Sequence, residues 1–62
     1  MNPGDRVTYV SPSGRLEHGI VKSEAKDGSV FVVYNCGGEW DRYQDFTGQL
    51  TSTEDLVPGW RG

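Results

Sequence analysis

The sequence predicts a small all-β domain: a barrel of five short strands with one short 3₁₀ turn before the last strand. Three observations favour this fold class. Nine glycines and three prolines supply many turns for a chain of 62 residues, and such a composition suits several short strands better than a few long helices. No window of about 15 residues places apolar side chains at helical spacing. Residues 30–34, with the sequence VFVVY, form a run of β-branched and aromatic side chains that is typical of a central strand.

The chain length allows one domain, which spans residues 1–62. The formal net charge is −3, because six basic residues are outnumbered by nine acidic ones. Non-specific binding to nucleic-acid phosphates requires a surplus of Lys and Arg, so the composition disfavours that function. An acidic domain can instead present its carboxylates to a basic partner.

Several features of the sequence predict a cytoplasmic protein without a cofactor. Cys36 is the only cysteine, which excludes an internal disulfide and is typical of a reducing compartment. The N-terminal residues are polar and do not resemble a signal peptide, and no apolar run approaches the roughly 20 residues of a membrane span. His18 is the only histidine, so a histidine-rich metal site is excluded. We expect a monomer that binds neither membranes nor metal ions.

The first half of the chain predicts three strands. Residues 6–10 alternate apolar and polar side chains, as a half-buried strand does, and residues 11–14 (SPSG) end this strand. Residues 15–23 form the second strand, in which Gly19 indicates a bulge, a bend or a close approach of backbone. The dipeptide Asp27-Gly28 is a strong hairpin signal. The second strand should therefore pair antiparallel with the third, at residues 30–34.

The second half of the chain predicts a loop and two shorter strands. The loop spans residues 35–45, and residues 46–51 form the fourth strand. Residues 51–56 form a single 3₁₀ turn, because Thr51 or Ser52 followed three residues later by an acid has the spacing of a capping box. The last strand follows, and Trp60 is expected to close the barrel or cover its open end.

Short motifs resemble the SH3-like small barrels of the KOW and Tudor type. Gly4-Asp5-Arg6-Val7, followed by Gly19-Ile20-Val21, is similar to the first two strands of those families. The segment VVYNCGGE at residues 32–39 resembles the Tudor pattern of an aromatic strand, a glycine turn and an acid. Asp55-Leu56 is similar to the Asp-Leu pair that often precedes the last Tudor strand. The resemblance implies an SH3-like barrel and, for the KOW type, binding to nucleic acid.

The candidate binding residues are aromatic and acidic side chains of the third strand and the following loop. They are Tyr34, Trp40, Asp41, Tyr43 and Phe46. Aromatic rings that stack on a ligand cation gain about 0.5–2 kcal/mol, and the acids would select a positive ligand. The alternative is that the rings fold inward, because so small a barrel has few other large apolar groups. Trp40 directly follows a glycine turn and is expected to be the exposed ring.

These observations predict a small non-catalytic adaptor that recognises a protein or a basic peptide through an aromatic-acidic loop. Neither Cys36 nor His18 has a sequence neighbour that would activate it, so we do not expect an enzyme. The alternative function is a nucleic-acid-binding module of the KOW type, with Arg6, Arg15 and Lys22 on one face touching phosphate. A third possibility is an exposed strand edge that pairs with a partner chain or a second copy.

Overall fold

The structure, a computed structural model that describes residues 1–62, contains five antiparallel strands in one sheet. Two 3₁₀ helices, η1 and η2, interrupt the second half of the chain. The elements are β1 (Arg6–Val10), β2 (Leu16–Glu24), β3 (Ser29–Val33), η1 (Trp40–Asp45), β4 (Gln49–Ser52), η2 (Thr53–Asp55) and β5 (Leu56–Pro58). The order across the sheet is β4-β3-β2-β1-β5, so β4 and β5 are the edge strands. The all-β prediction is confirmed.

The hairpin between β2 and β3 forms where the Asp-Gly signal predicts it. Asp27 has a φ of 58° and Gly28 a φ of 73°, and two successive positive φ angles define the tight turn whose twist matches the flanking strands. The register pairs Ile20 with Val33 and Val21 with Val32. The bulge of β2 lies at Lys22, between Val21 and Ser23, and not at Gly19.

Gly19 instead allows the close approach of neighbouring backbone. A Cβ atom at this position would lie 2.5 Å from Cγ1 of Val32 and 3.1 Å from the carbonyl oxygen of Val33. No real side chain tolerates the shorter of these contacts. The glycine therefore leaves room beside β2 for the side chains of Val32 and Tyr34.

Alternation along the strands divides the sheet into two faces. The first, called the core face, carries a cluster of five buried side chains: Val7, Val21, Val30, Val32 and Leu56. Tyr9 and Tyr34 pack against this cluster. The second, called the outer face, carries Ile20 and Val33, which are also buried. Buried apolar side chains therefore lie on both faces of the sheet.

Two elements of the second half differ from the sequence-based prediction. Residues 40–45 are not an open loop but the helix η1, which lies against β2. Strand β4 begins at Gln49 rather than at residue 46. The predicted 3₁₀ turn is present as η2, and the side chain of Ser52 accepts a hydrogen bond from the Glu54 backbone N–H at 3.3 Å. Neither 3₁₀ helix has the length and apolar character needed to cross a membrane.

Candidate binding site

The structure keeps four of the five predicted site residues on or directly after η1, and it places the fifth, Tyr34, on the core face. Tyr34 continues from β3 onto the core face, where its ring packs against the valine cluster. Tyr43 and Phe46 are half-buried, and Asp41 is exposed on η1. Trp40, which the sequence predicts to be the exposed ring, is instead half-buried and packs on Trp60. Of the five predicted residues, only Tyr34 lines the cleft described below.

Trp60 organises a cluster on the outer face, called here the Trp60 cluster. Its ring stacks on the imidazole of His18 with 5.3 Å between the centroids and 9° between the planes. The Trp40 ring is tilted against it at 5.0 Å. The Arg6 guanidinium lies 4.5 Å from the centroid of the Trp60 ring, within reach of a cation–π attraction. Trp60 is therefore a packing residue, through which the C-terminal segment contacts the sheet and η1.

Thr8 fixes the C-terminal segment to the outer face. Its hydroxyl group is fully buried, donates a hydrogen bond to the Gly59 carbonyl at 2.8 Å and accepts one from the Arg61 backbone N–H at 2.8 Å. The indole N–H of Trp60 donates to the Gly19 carbonyl at 2.9 Å. These bonds join the end of the chain to the middle of the sheet.

An open cleft of about 270 Å³ lies at the core-face side of β4. One wall is β4 itself, and the others come from β1, β2, the residue after β3, and η2. The lining residues are Tyr9, Glu17, Tyr34, Gln49, Leu50, Thr51, Ser52 and Asp55. Two of them are tyrosines and two are acids, and none is basic. This cleft therefore combines two aromatic rings with two carboxylates.

The two tyrosine rings of the cleft are held in a defined geometry. The ring centroids of Tyr9 and Tyr34 are 6.1 Å apart and the ring planes meet at 71°, an edge-to-face arrangement. The Thr51 hydroxyl donates to the Gln49 carbonyl at 3.2 Å and lies 2.8 Å from the Tyr34 hydroxyl. Either hydroxyl group can be the donor in this contact, because the single proton of Thr51 can point to Gln49 or to Tyr34. In both cases the phenol oxygen keeps a lone pair that can accept from a ligand.

The electrostatics of the cleft are negative. Burial away from water raises the pKa of the Tyr34 phenol above its ordinary value of 10.0, whereas the hydrogen bond with Thr51 lowers it. Negative charge on Tyr9, Glu17 and Asp55 raises that pKa further. The phenol is therefore neutral at physiological pH, and the two carboxylates supply the charge of the cleft.

Sequence reasoning missed Tyr9, Glu17 and Asp55 as site residues. A signal for the first two was present, because a short loop between two antiparallel strands fixes their register. That register places Tyr9 directly opposite Glu17, and side chains so paired lie on the same face. The signal for η1 was also present. Trp40, Tyr43 and Phe46 recur at three-residue spacing, which is the period of a 3₁₀ helix.

The structure offers no arrangement of metal-ligating side chains. No three His, Cys, Asp or Glu residues lie close enough together to hold an ion. Cys36 is buried, with an exposed fraction of 2%. The chain matches no protein-family model, and comparison with curated protein sequences and with solved structures finds no significant similarity.

Proposed function

We propose that this protein is a non-catalytic binding module that recognises a basic segment of a protein partner in the cleft. The observation that supports the proposal is the Tyr34 hydroxyl group. Its oxygen keeps a lone pair that can accept from a ligand, in a cleft that Glu17 and Asp55 also line. Ammonium and guanidinium groups have donors and no acceptors, which is the complement of such a site.

Charge and aromatic character favour the same class of ligand. A cation held near the rings of Tyr9 and Tyr34 would gain a cation–π attraction. The carboxylates add attraction at long range, which increases the rate of encounter with a basic partner. Neither Glu17 nor Asp55 belongs to an ion pair within the chain, because both ion pairs are made by Arg42 with Glu39 and Asp45.

We further propose that the sheet curves into a partly open SH3-like barrel. The strand order β4-β3-β2-β1-β5 supports this, and η2 links the two edge strands across one end of the sheet. In such a barrel the core face is the interior, and the cleft lies at its open seam beside β4.

The experiment that tests the proposed function is a ¹⁵N–¹H NMR titration of the protein with a Lys/Arg-rich peptide. We expect shifts at Tyr9, Tyr34 and the residues of β4. The variants Glu17→Gln and Asp55→Asn should each weaken binding about threefold or more, whereas Glu24→Gln, an exposed acid of β2 outside the cleft, should not. Equal effects of the three substitutions would show only a general charge effect and would refute the cleft as the site.

A second candidate function, nucleic-acid binding of the KOW type, is favoured by the Trp60 cluster. Arg6 lies over an aromatic ring and has no ion-pair partner, which suits stacking of bases beside phosphate. Arg15 and Lys22 do not join it in a basic strip. Arg15 directly precedes β2 and Lys22 lies near the other end of that strand, which separates them by about 23 Å of extended chain. The Lys22 ammonium also donates to the Phe46 carbonyl.

The same titration with a mixed-sequence single-stranded RNA distinguishes the two functions. Shifts centred on Arg6, His18 and Trp60 with RNA, and none with the peptide, would replace the proposed function by this second one. Shifts in the cleft with the peptide alone would leave the first in place.

A further inference from the structure

We propose that the partner binds as an extended strand paired with β4, so that its basic and apolar side chains alternate along the chain. This inference rests on the proposed function, because it places the basic side chains in the same cleft. It adds the backbone conformation of the ligand and a sequence pattern that the ligand must have.

Strand β4 is an edge that the rest of the molecule leaves open. It pairs only with β3, in the register Ser29–Ser52, Val30–Thr51, Phe31–Leu50 and Val32–Gln49. In an antiparallel pair, alternate residues direct their N–H and C=O groups away from the partner strand. The outward groups of β4 are therefore available to an added strand, and the four residues of this strand also form a wall of the cleft.

The sequence of β4 lacks the devices that usually protect an edge. Natural edge strands are blocked by Lys, Pro, inward charges or bulges, and Gln49-Leu50-Thr51-Ser52 contains no charged residue and no proline. The other edge is different. Strand β5 has three residues, ends at Pro58, which has no N–H to donate, and is followed by the segment fixed by Thr8. Of the two edges, β4 is the one suited to pairing.

The two faces beside β4 have different chemistry. Alternation along β4 directs the side chains of Gln49 and Thr51 to the core face and that of Leu50 to the outer face, beside its cross-strand partner Phe31. Leu50 still borders the cleft as part of the β4 wall. Leu50 is 63% exposed and Phe31 is 37% exposed. The same four-residue edge is therefore bordered by two different surfaces. On one side is the acidic, aromatic cleft, and on the other is the exposed apolar pair of Leu50 and Phe31.

These two faces define the pattern of the ligand. Successive side chains of a strand point to opposite faces. A strand added to β4 therefore directs every second side chain into the cleft, where Lys or Arg fits, and the intervening ones towards Leu50, where an apolar side chain fits. Backbone hydrogen bonds supply affinity in this mode, and the alternate side chains supply specificity.

The test compares two peptides of identical composition by calorimetry. In the first, Lys and apolar residues alternate, and in the second they are separated into two blocks. We expect the alternating peptide to bind about tenfold more tightly. Backbone N-methylation of the alternating peptide should then weaken binding about tenfold at positions that face β4, and at most about twofold at the intervening ones.

Protein variants test the outer face independently. Leu50→Ser should weaken the alternating peptide several-fold while leaving the thermal midpoint within a few degrees, because the side chain is mostly exposed. Leu16→Ser is the matched control, since Leu16 is also an exposed leucine, at the far end of β2. The control should bind as the unmodified protein does.

The outcomes separate this inference from the proposed function. If both peptides bind equally, methylation has no positional effect, and Glu17→Gln still weakens binding, the cleft recognises basic side chains and the strand pairing is refuted. If neither peptide binds, both proposals fail. If the protein alone shows concentration-dependent mass that Leu50→Ser abolishes, β4 pairs with a second copy of the chain, and the assignment of a basic partner strand to this edge is overturned.

Discussion

At the scale of the residue, Tyr34 belongs both to the core and to the cleft. Its ring packs against the buried valines, while its hydroxyl group is oriented by Thr51 and presents an acceptor outward. Such a residue has little freedom to move, because packing and a hydrogen bond both restrict it. A rigid acceptor loses little conformational entropy when a ligand binds.

The raised pKa of Tyr34 predicts how stability depends on pH. The folded protein holds the phenolic proton more tightly than the unfolded chain does. Below about pH 10 both states keep the proton, and the stabilisation is fully present. Above about pH 10 the unfolded chain ionises first, so the free energy of unfolding falls until the pH passes the folded pKa. Urea unfolding at a series of alkaline pH values should show this fall in the unmodified protein and a shallower one in Tyr34→Phe. Parallel slopes for the two proteins would contradict it.

The hydroxyl group of Thr8 should stabilise the fold by a measurable amount. Thr8→Val keeps the shape of the side chain but leaves the Gly59 carbonyl and the Arg61 N–H without their partner. We expect the free energy of unfolding to fall by about 1–3 kcal/mol, measured by urea denaturation. Thr47→Val provides the control, because Thr47 is exposed. A loss no larger than that of the control would show that the C-terminal segment is not held by this hydroxyl.

At the scale of the element, the hairpin of β2 and β3 depends on the missing side chain at residue 19. Gly19→Ala should destabilise the protein by about 1–3 kcal/mol, because the new methyl group overlaps Val32. A double-mutant cycle with Val32→Ala, which removes the overlapping atoms, isolates the cause. The loss due to Gly19→Ala should be smaller in the Val32→Ala background, and equal losses in both backgrounds would exclude this contact as the cause.

The same elements show why part of the fold was predictable. The Asp27-Gly28 turn and the alternation of residues 6–10 are local, and both were found from the sequence. Helix η1 was missed because its stability does not come from a capping side chain, since the residue before it makes no such hydrogen bond. Its position depends on contact with β2, which is far away in sequence. The three-residue spacing of its aromatic side chains is compatible with η1, but without a capping residue that spacing alone did not distinguish a helix from a loop.

At the scale of the whole molecule, the sheet has buried side chains on both faces. Val32 lies in the core-face cluster and Val33 on the outer face, and both are fully buried. Val32→Asp and Val33→Asp should therefore each abolish cooperative thermal unfolding, because a buried unpaired charge costs more than so small a domain can tolerate. Phe31→Asp, at the residue directly before Val32 but 37% exposed, should remain folded. A cooperative transition near that of the unmodified protein in either valine variant would contradict the two-sided core.

The candidate site was harder to predict than the fold, because it joins residues from distant parts of the chain. Tyr34 and Thr51 are 17 residues apart, and Thr8 and Gly59 are 51 apart. Composition predicted an aromatic and acidic ligand surface. Only the register of β1 and β2 and the position of η2 bring Tyr9, Glu17 and Asp55 to it.

The contact between Trp40 and Trp60 gives the protein an optical property of its own. The indoles are close enough for their electronic transitions to couple, since 5.0 Å separates their centroids at a tilt of 54°. Coupled, mutually inclined chromophores produce a paired positive and negative band in circular dichroism. We expect that band only while the C-terminal segment is docked, and we expect Trp60→Phe to remove it. Detachment of the segment can therefore be followed by light alone, without an added label.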